Sequence, residues 1–163
     1  MNTSIKTAMV GIGATALVDF FTFILSLFTH KAHGILYTGR WVAYLFKGTF
    51  FHYTIVETPA AENELFIGWL VHYSVGILFA FALVAVFGKK LLERPYFLAA
   101  MIIGIVTLFF PVWVLQPAMG FGVAFSKLPQ AGFLLAKIFF IHVVYGLGLY
   151  FTALILQKGI IAK

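Results

Sequence analysis

The sequence predicts an all-α integral membrane protein, a four-helix bundle with a long loop or interfacial segment between the first and second spans. Three observations lead there. The 163 residues are 63% hydrophobic and 10% charged, whereas a soluble domain is about half apolar and about a quarter charged. A soluble chain this small cannot bury that much apolar surface while covering itself with polar groups. Four stretches reach the roughly 20 mostly apolar residues that a spanning helix needs, and the Lys and Arg residues fall in connections and near segment ends, where membrane proteins place cations.

The first span is expected over 8–28. It is too long for a signal-peptide core, contains Asp19 and lacks a clear cleavage site, so it is read as a helix that stays. The second is expected over 66–88, the third over 96–116 and the fourth over 134–157, with Lys137 reaching the interface along its own stem. The turn "GKKLLERP" is short enough to make the second and third helices antiparallel neighbours. Residues 29–65 make the outer loop. Its stretch "GRWVAYLFKGTFFHYTIV", rich in aromatics with scattered cations, fits a segment in the interface or folded over the bundle mouth. The polar turn "ETPAAENE" then sets Glu62 and Glu64 near the start of the second span, where carboxylates suit the helix dipole. The chain, residues 1–163, thus reads as one transmembrane domain.

Orientation follows from the cations. With both termini inside, Lys6, Lys89, Lys90, Arg94, Lys158 and Lys163 face Lys31, Arg40, Lys47, Lys127 and Lys137 across the membrane. The dense "KKLLER" turn favours cytoplasmic termini. The chain has no cysteine, which excludes disulfides, thiolate metal sites, cysteine nucleophiles and covalently attached haem. The net charge of +6 is accounted for by these flanking cations, so no nucleic-acid partner is expected. The expected partners are the lipid bilayer and a second copy or another membrane protein.

Polar and small residues fall at helical spacing. Gly11, Thr15, Asp19, Thr22 and Ser26 share one face of the first span, and Gly68, His72, Gly76 and Ala80 one face of the second. Ala100, Gly104, Thr107 and Pro111 follow in the third, and His142, Gly146 and Ala153 in the fourth. Small residues let helices approach closely in lipid, and polar ones face inward to avoid hydrocarbon. An ionisable group at the bilayer centre costs about 2.5–3.5 kcal/mol on insertion scales, so Asp19, His72 and His142 are candidates for a shared ligand-binding site or proton relay. At about 1.5 Å per residue, each histidine lies roughly 10 Å below one membrane face and Asp19 roughly 13 Å. Gln116 sits at that face beside Pro111 and Pro117. Pro111 is expected to kink or break the third helix and open a cavity nearby. Arg40 and His52 in the outer loop are the expected lid contacts. His30 and His33 have a spacing seen at metal sites, but two ligands make a weak signal.

Several segments resemble a known family: Gly39-Arg40-Trp41, then Gly48, Phe50 and His52, then Gly68-Trp69 with His72-Tyr73 and Gly76. The match continues through Gln116-Pro117-Ala118-Met119-Gly120, and through His142 to Tyr145-Gly146-Leu147-Gly148-Leu149-Tyr150. Asp19 also fits. The chain resembles, over nearly its whole length, a bacterial inner-membrane family catalogued as a domain of unknown function, DUF2938. The resemblance implies four spans and no particular activity.

Three function classes therefore stand. The first is an intramembrane Asp/His site that binds or conducts a proton, ion or small solute, with no cofactor. Four spans are few for an alternating-access carrier, so it would work as an oligomer. The second is a bis-histidine haem b protein, with Gly76 and Gly146 leaving room for the macrocycle, or a divalent-metal protein ligated by His72, His142 and Asp19. The third is an accessory or assembly subunit whose polar residues clamp helices. Enzymatic function is not expected, because no nucleophile–base pair or phosphate loop appears.

Overall fold

A computed structural model of the chain describes residues 2–29 and 34–161, with side chains to residue 157. His30 and His33 lie outside the described residues. The elements are α1 (Thr3–Ser26), α2 (Gly34–Leu45), α3 (Glu64–Phe87), a 3₁₀ turn at Lys89–Leu92, α4 (Phe97–Val106), a π-helical turn at Pro111–Leu115, α5 (Gln116–Ala118), a 3₁₀ turn at Val123–Phe125, and α6 (Ala131–Ile161). No strand occurs among the described residues.

Four helical stretches, Thr3–Ser26, Glu64–Phe87, Phe97–Ala118 and Ala131–Gln157, are long and apolar enough to cross a membrane. Their outer faces carry large exposed apolar side chains: Phe23 at 61%, Leu78 at 63%, Phe109 at 64% and Ile155 at 69%. In water such faces would be a liability, whereas hydrocarbon accepts them. Each stretch starts earlier than its hydropathy suggests or ends later, because caps and polar end residues extend a helix beyond its apolar core. The Asn2 side chain, for instance, accepts the Ser4 N–H at 3.1 Å and starts α1 ahead of its hydrophobic run.

The region expected as an outer loop contains a helix, α2, followed by residues 46–63 without regular helix. The expected break at Pro111 is also milder. Pro111 has no N–H to donate, and the backbone passes it in a π-helical turn, with the Gln116 N–H reaching Pro111 O. The helical run therefore continues to Ala118.

The described residues group into two compact units. The first comprises α1, Tyr73–Thr107 and the chain from Phe139 on, and the second comprises the chain up to His72 from α2 together with Leu108–Ile138. The first unit is closed by small residues. A Cβ on Gly11 would lie 2.7 Å from Ile77 Cα, one on Gly104 would lie 2.8 Å from Gly146 Cα, and one on Gly148 would lie 2.7 Å from Ala14 Cα. Such contacts bring α1 against α3, α4 against α6 and α6 against α1 at backbone distance, as small-residue seams do in lipid. Val10, Ala14, Leu83, Ala100 and Leu149 fill the space between. The second unit has a smaller core of Trp41, Ile55, Ala118 and Met119.

Candidate functional site

In the first unit the polar side chains of the spans meet partners on other helices. The Tyr73 hydroxyl donates to Asp19 Oδ2 at 2.7 Å. Asp19 lies seven residues before the end of α1, about 10 Å along the axis, so a carboxylate well inside a span is held by a phenol from α3. The Thr107 hydroxyl donates to Gly104 O at 2.7 Å, so its oxygen is left to accept from His142 Nδ1 at 3.0 Å. His142 therefore carries its proton on Nδ1. The Tyr145 hydroxyl donates to Gly76 O at 2.6 Å. These bonds join α1 to α3, the C-terminal end of α4 to α6, and α6 to α3; glycine contacts join the first two of these pairs as well.

Gly76 and Gly146, read from sequence as room for a macrocycle, are occupied as packing positions. A Cβ on Gly76 would fall on Thr15 Oγ1, and one on Gly146 would lie 3.1 Å from Ala100 O. Among the described residues no three His, Asp or Glu side chains are grouped to hold a metal ion. His72 belongs to the second unit, where its ring meets the Trp69 ring edge-on at 5.8 Å.

The second unit contains Arg40, His52 and Gln116, three of the candidate site residues, and pairs Arg40 with Glu64. Arg40 Nε lies 2.7 Å from Glu64 Oε2, and its Nη2 donates to Glu64 Oε1 at 2.8 Å. This is a two-point guanidinium–carboxylate pair. Both side chains are about nine-tenths buried, with 10% and 11% exposure. Arg40 Nη1 donates to Ile55 O at 3.1 Å and Thr58 O at 2.8 Å, which ties the 46–63 segment down. Glu64 Oε2 also accepts the Ala61 N–H at 2.8 Å. The bond to Glu64 holds the Arg40 guanidinium above its usual range, outweighing the burial that opposes it. The Trp41 indole N–H donates to Phe50 O at 2.9 Å and fixes the same segment one residue further along α2.

The stretches that carry His52 and Gln116 run side by side in this fold. The His52 N–H donates to Ala118 O at 2.8 Å, and the Ile55 N–H to Met119 O at 2.9 Å, so residues 52–55 run beside residues 116–120. Gly120 permits that approach: its φ is +87°, and a Cβ there would fall on Tyr53 O. His52 Nδ1 lies 3.1 Å from Thr58 Oγ1, and the His52 ring meets Tyr44 edge-on at 5.4 Å. Burial pushes the His52 imidazole below its usual range. His52 Nε2 and Gln116 Oε1 are buried without a hydrogen-bond partner. Gln116 follows the π-helical turn directly, and beyond it Ala124 and Phe125 hold positive φ of 52° and 62°.

Sequence reasoning missed Glu64 as the partner of Arg40, Tyr73 as the partner of Asp19, and Thr58. From the sequence Glu64 suits only the helix dipole. Its pairing joins residues 24 positions apart, a separation that periodicity does not reveal. Tyr73 was within reach of the reading, since it follows His72 and appears among the residues of the family resemblance.

A family model described as a protein of unknown function (DUF2938) matches residues 8–156. No curated protein and no solved structure gives a significant match.

Proposed function

We propose a function from the side chains themselves, because this chain belongs to the DUF2938 family, whose description assigns no activity. The reading is a multi-pass protein of the bacterial inner membrane that binds a small polar solute at the polar centre of the second unit. One observation carries it: His52 Nε2 and Gln116 Oε1 are buried and unpartnered, in a centre where Arg40, Glu64, Trp41 and Thr58 are all bonded. An unsatisfied buried acceptor costs about 1–3 kcal/mol, so native proteins keep few, and each calls for an occupant or a strain-bearing role. The π-helical turn before Gln116 supports the same reading, because such turns recur at functional sites.

A second form of the reading takes a proton or ion through Asp19 and His142 of the first unit. The Asp19–Tyr73 bond supports it by keeping a carboxylate inside a span. The same interhelical bonds equally support an accessory subunit, since each clamps a helix pair. In either form the four spans work as an oligomer, with the termini cytoplasmic. Membrane-impermeant labelling of single-cysteine variants at Lys90 and Ala61 checks the orientation. Position 61 is expected to label from outside and position 90 only after permeabilisation, and the reverse pattern overturns it.

The solute reading is tested by thermal unfolding of the purified protein in nanodiscs. The panel is methylammonium chloride, glycerol, glycine, sodium acetate and sodium phosphate, at matched ionic strength. At least one is expected to raise Tm, as any ligand of the native state does. That rise is expected to disappear in Gln116→Met and persist in Asp19→Asn. The converse pattern moves the site to the spans, and no response from any of the five overturns solute binding.

A further inference from the structure

The geometry points to a specific occupant: we propose that the His52–Gln116 centre is an acceptor-only site that takes a small, non-anionic hydrogen-bond donor, an ammonium-type group or a water, and rejects anions although an arginine stands beside it. The location rests on the solute-binding reading above, whereas the donor and acceptor assignment stands on the hydrogen bonds alone.

The chain of assignment begins at Thr58. Its hydroxyl has one proton, which it donates to Thr54 O at 2.9 Å. Towards His52 it is therefore an acceptor, and the 3.1 Å contact with Nδ1 requires the proton on that nitrogen. A neutral imidazole protonated at Nδ1 presents a lone pair at Nε2. The buried Nε2 is thus an acceptor without a donor, and so is Gln116 Oε1. The two belong to paired stretches, with the His52 N–H bonded to Ala118 O two residues beyond Gln116. A donor with two or more N–H or O–H groups, seated between these paired stretches, would satisfy both.

Arg40 is the obvious anchor for a carboxylate or phosphate, but all of its N–H donors except one on Nη2 are committed. Nε and Nη2 hold Glu64, and Nη1 holds two backbone carbonyls. Its charge is also neutralised by the buried carboxylate at 2.7 Å. An anion arriving here would meet two lone pairs and a cancelled charge, with only the Gln116 amide N–H groups and one Arg40 N–H left to donate, so its lost hydration would be replaced only in part. A donor gains bonds that water alone was supplying. The arginine's role is to pin the 46–63 segment so that His52 holds its orientation.

The test combines a tautomer measurement with a solute comparison. In protein labelled with ¹⁵N-histidine, the His52 signal is identified by its loss in His52→Gln. The expected pattern is a protonated Nδ1 and an Nε2 shifted as a hydrogen-bond acceptor. An Nε2–H tautomer overturns the proposal. In nanodiscs, methylammonium chloride is expected to raise Tm above an equal concentration of sodium chloride, with sodium acetate giving no rise and Gln116→Met abolishing the response. A rise with acetate that Gln116→Met abolishes overturns the donor assignment and leaves solute binding standing. An acceptor-type Nε2 shift with no response to any solute assigns the position to water. The acceptor-only inference then holds and the solute-binding reading falls.

Discussion

Replacing Arg40 with Ala is expected to destabilise the folded protein by about 3–5 kcal/mol, the range for removing one partner of a buried ion pair. Arg40 and Glu64 are each about nine-tenths buried, so the variant leaves a carboxylate enclosed without its counter-charge. It also frees Ile55 O and Thr58 O, the carbonyls by which Arg40 holds the 46–63 segment. Unfolding of purified protein in a mild detergent, followed by near-ultraviolet circular dichroism, reads the loss as a lower Tm. Glu64→Gln is expected to cost less, because the amide oxygen still accepts from the guanidinium. The paired change Arg40→Met with Glu64→Leu is expected to cost less than Arg40→Ala, since no lone charge is then buried. If Arg40→Ala leaves Tm unchanged, the pair does not organise the second unit.

How much of this was legible in the sequence depended on whether a feature is periodic or long-range. The spans were legible because hydropathy over a window reports burial in lipid directly, and the glycine faces were legible because spacing of three and four marks one side of a helix. Gly11, Gly76, Gly104 and Gly146 do lie at helix contacts. The outer loop was under-read: Gly34–Leu45 is helical, but its aromatic and cationic content suggested an interfacial segment without fixing its backbone. Pro111 suggests a break because proline removes a donor, yet the backbone passes it in a π-helical turn whose Gln116 N–H donates to Pro111 O. Of the candidate site residues, Arg40, His52 and Gln116 were named individually, but nothing local indicated that they belong to one unit. That required the Arg40–Glu64 pair and the alignment of residues 52–55 with 116–120, which are products of tertiary contact. The sequence groups Asp19, His72 and His142 as one site by depth alone, and the hydrogen-bond partners of Asp19 and His142 are instead Tyr73 and Thr107, which depth along a helix does not reveal.

Gly39→Ala is expected to be about as damaging as losing the arginine next to it, although it adds a single methyl group. A Cβ at Gly39 would fall on Glu64 O and lie 2.6 Å from Gly68 N, and a Cβ at Gly68 would fall on Ile35 O. The two glycines are thus where α2 and the first turns of α3 touch backbone to backbone. A methyl group meeting backbone has no side chain to push aside, so the helices must separate. Overpacking of a fitted contact costs about 1–3 kcal/mol. Here the separation also draws Arg40 on α2 away from Glu64 on α3 and lengthens a 2.7 Å ion-pair contact, so the loss is expected at or above the top of that range. Gly132 in α6 is the control: a Cβ there meets nothing within 4 Å, and alanine is the better helix former, so Gly132→Ala is expected to leave Tm unchanged or raise it. The coupling has its own signature. If Gly39→Ala acts partly by breaking the ion pair, its effect and that of Arg40→Ala overlap, and the double variant loses less stability than the two single losses added together. Strict additivity would mean that the glycine contact and the ion pair are independent, and that the close approach of α2 to α3 is not what holds Arg40 on Glu64.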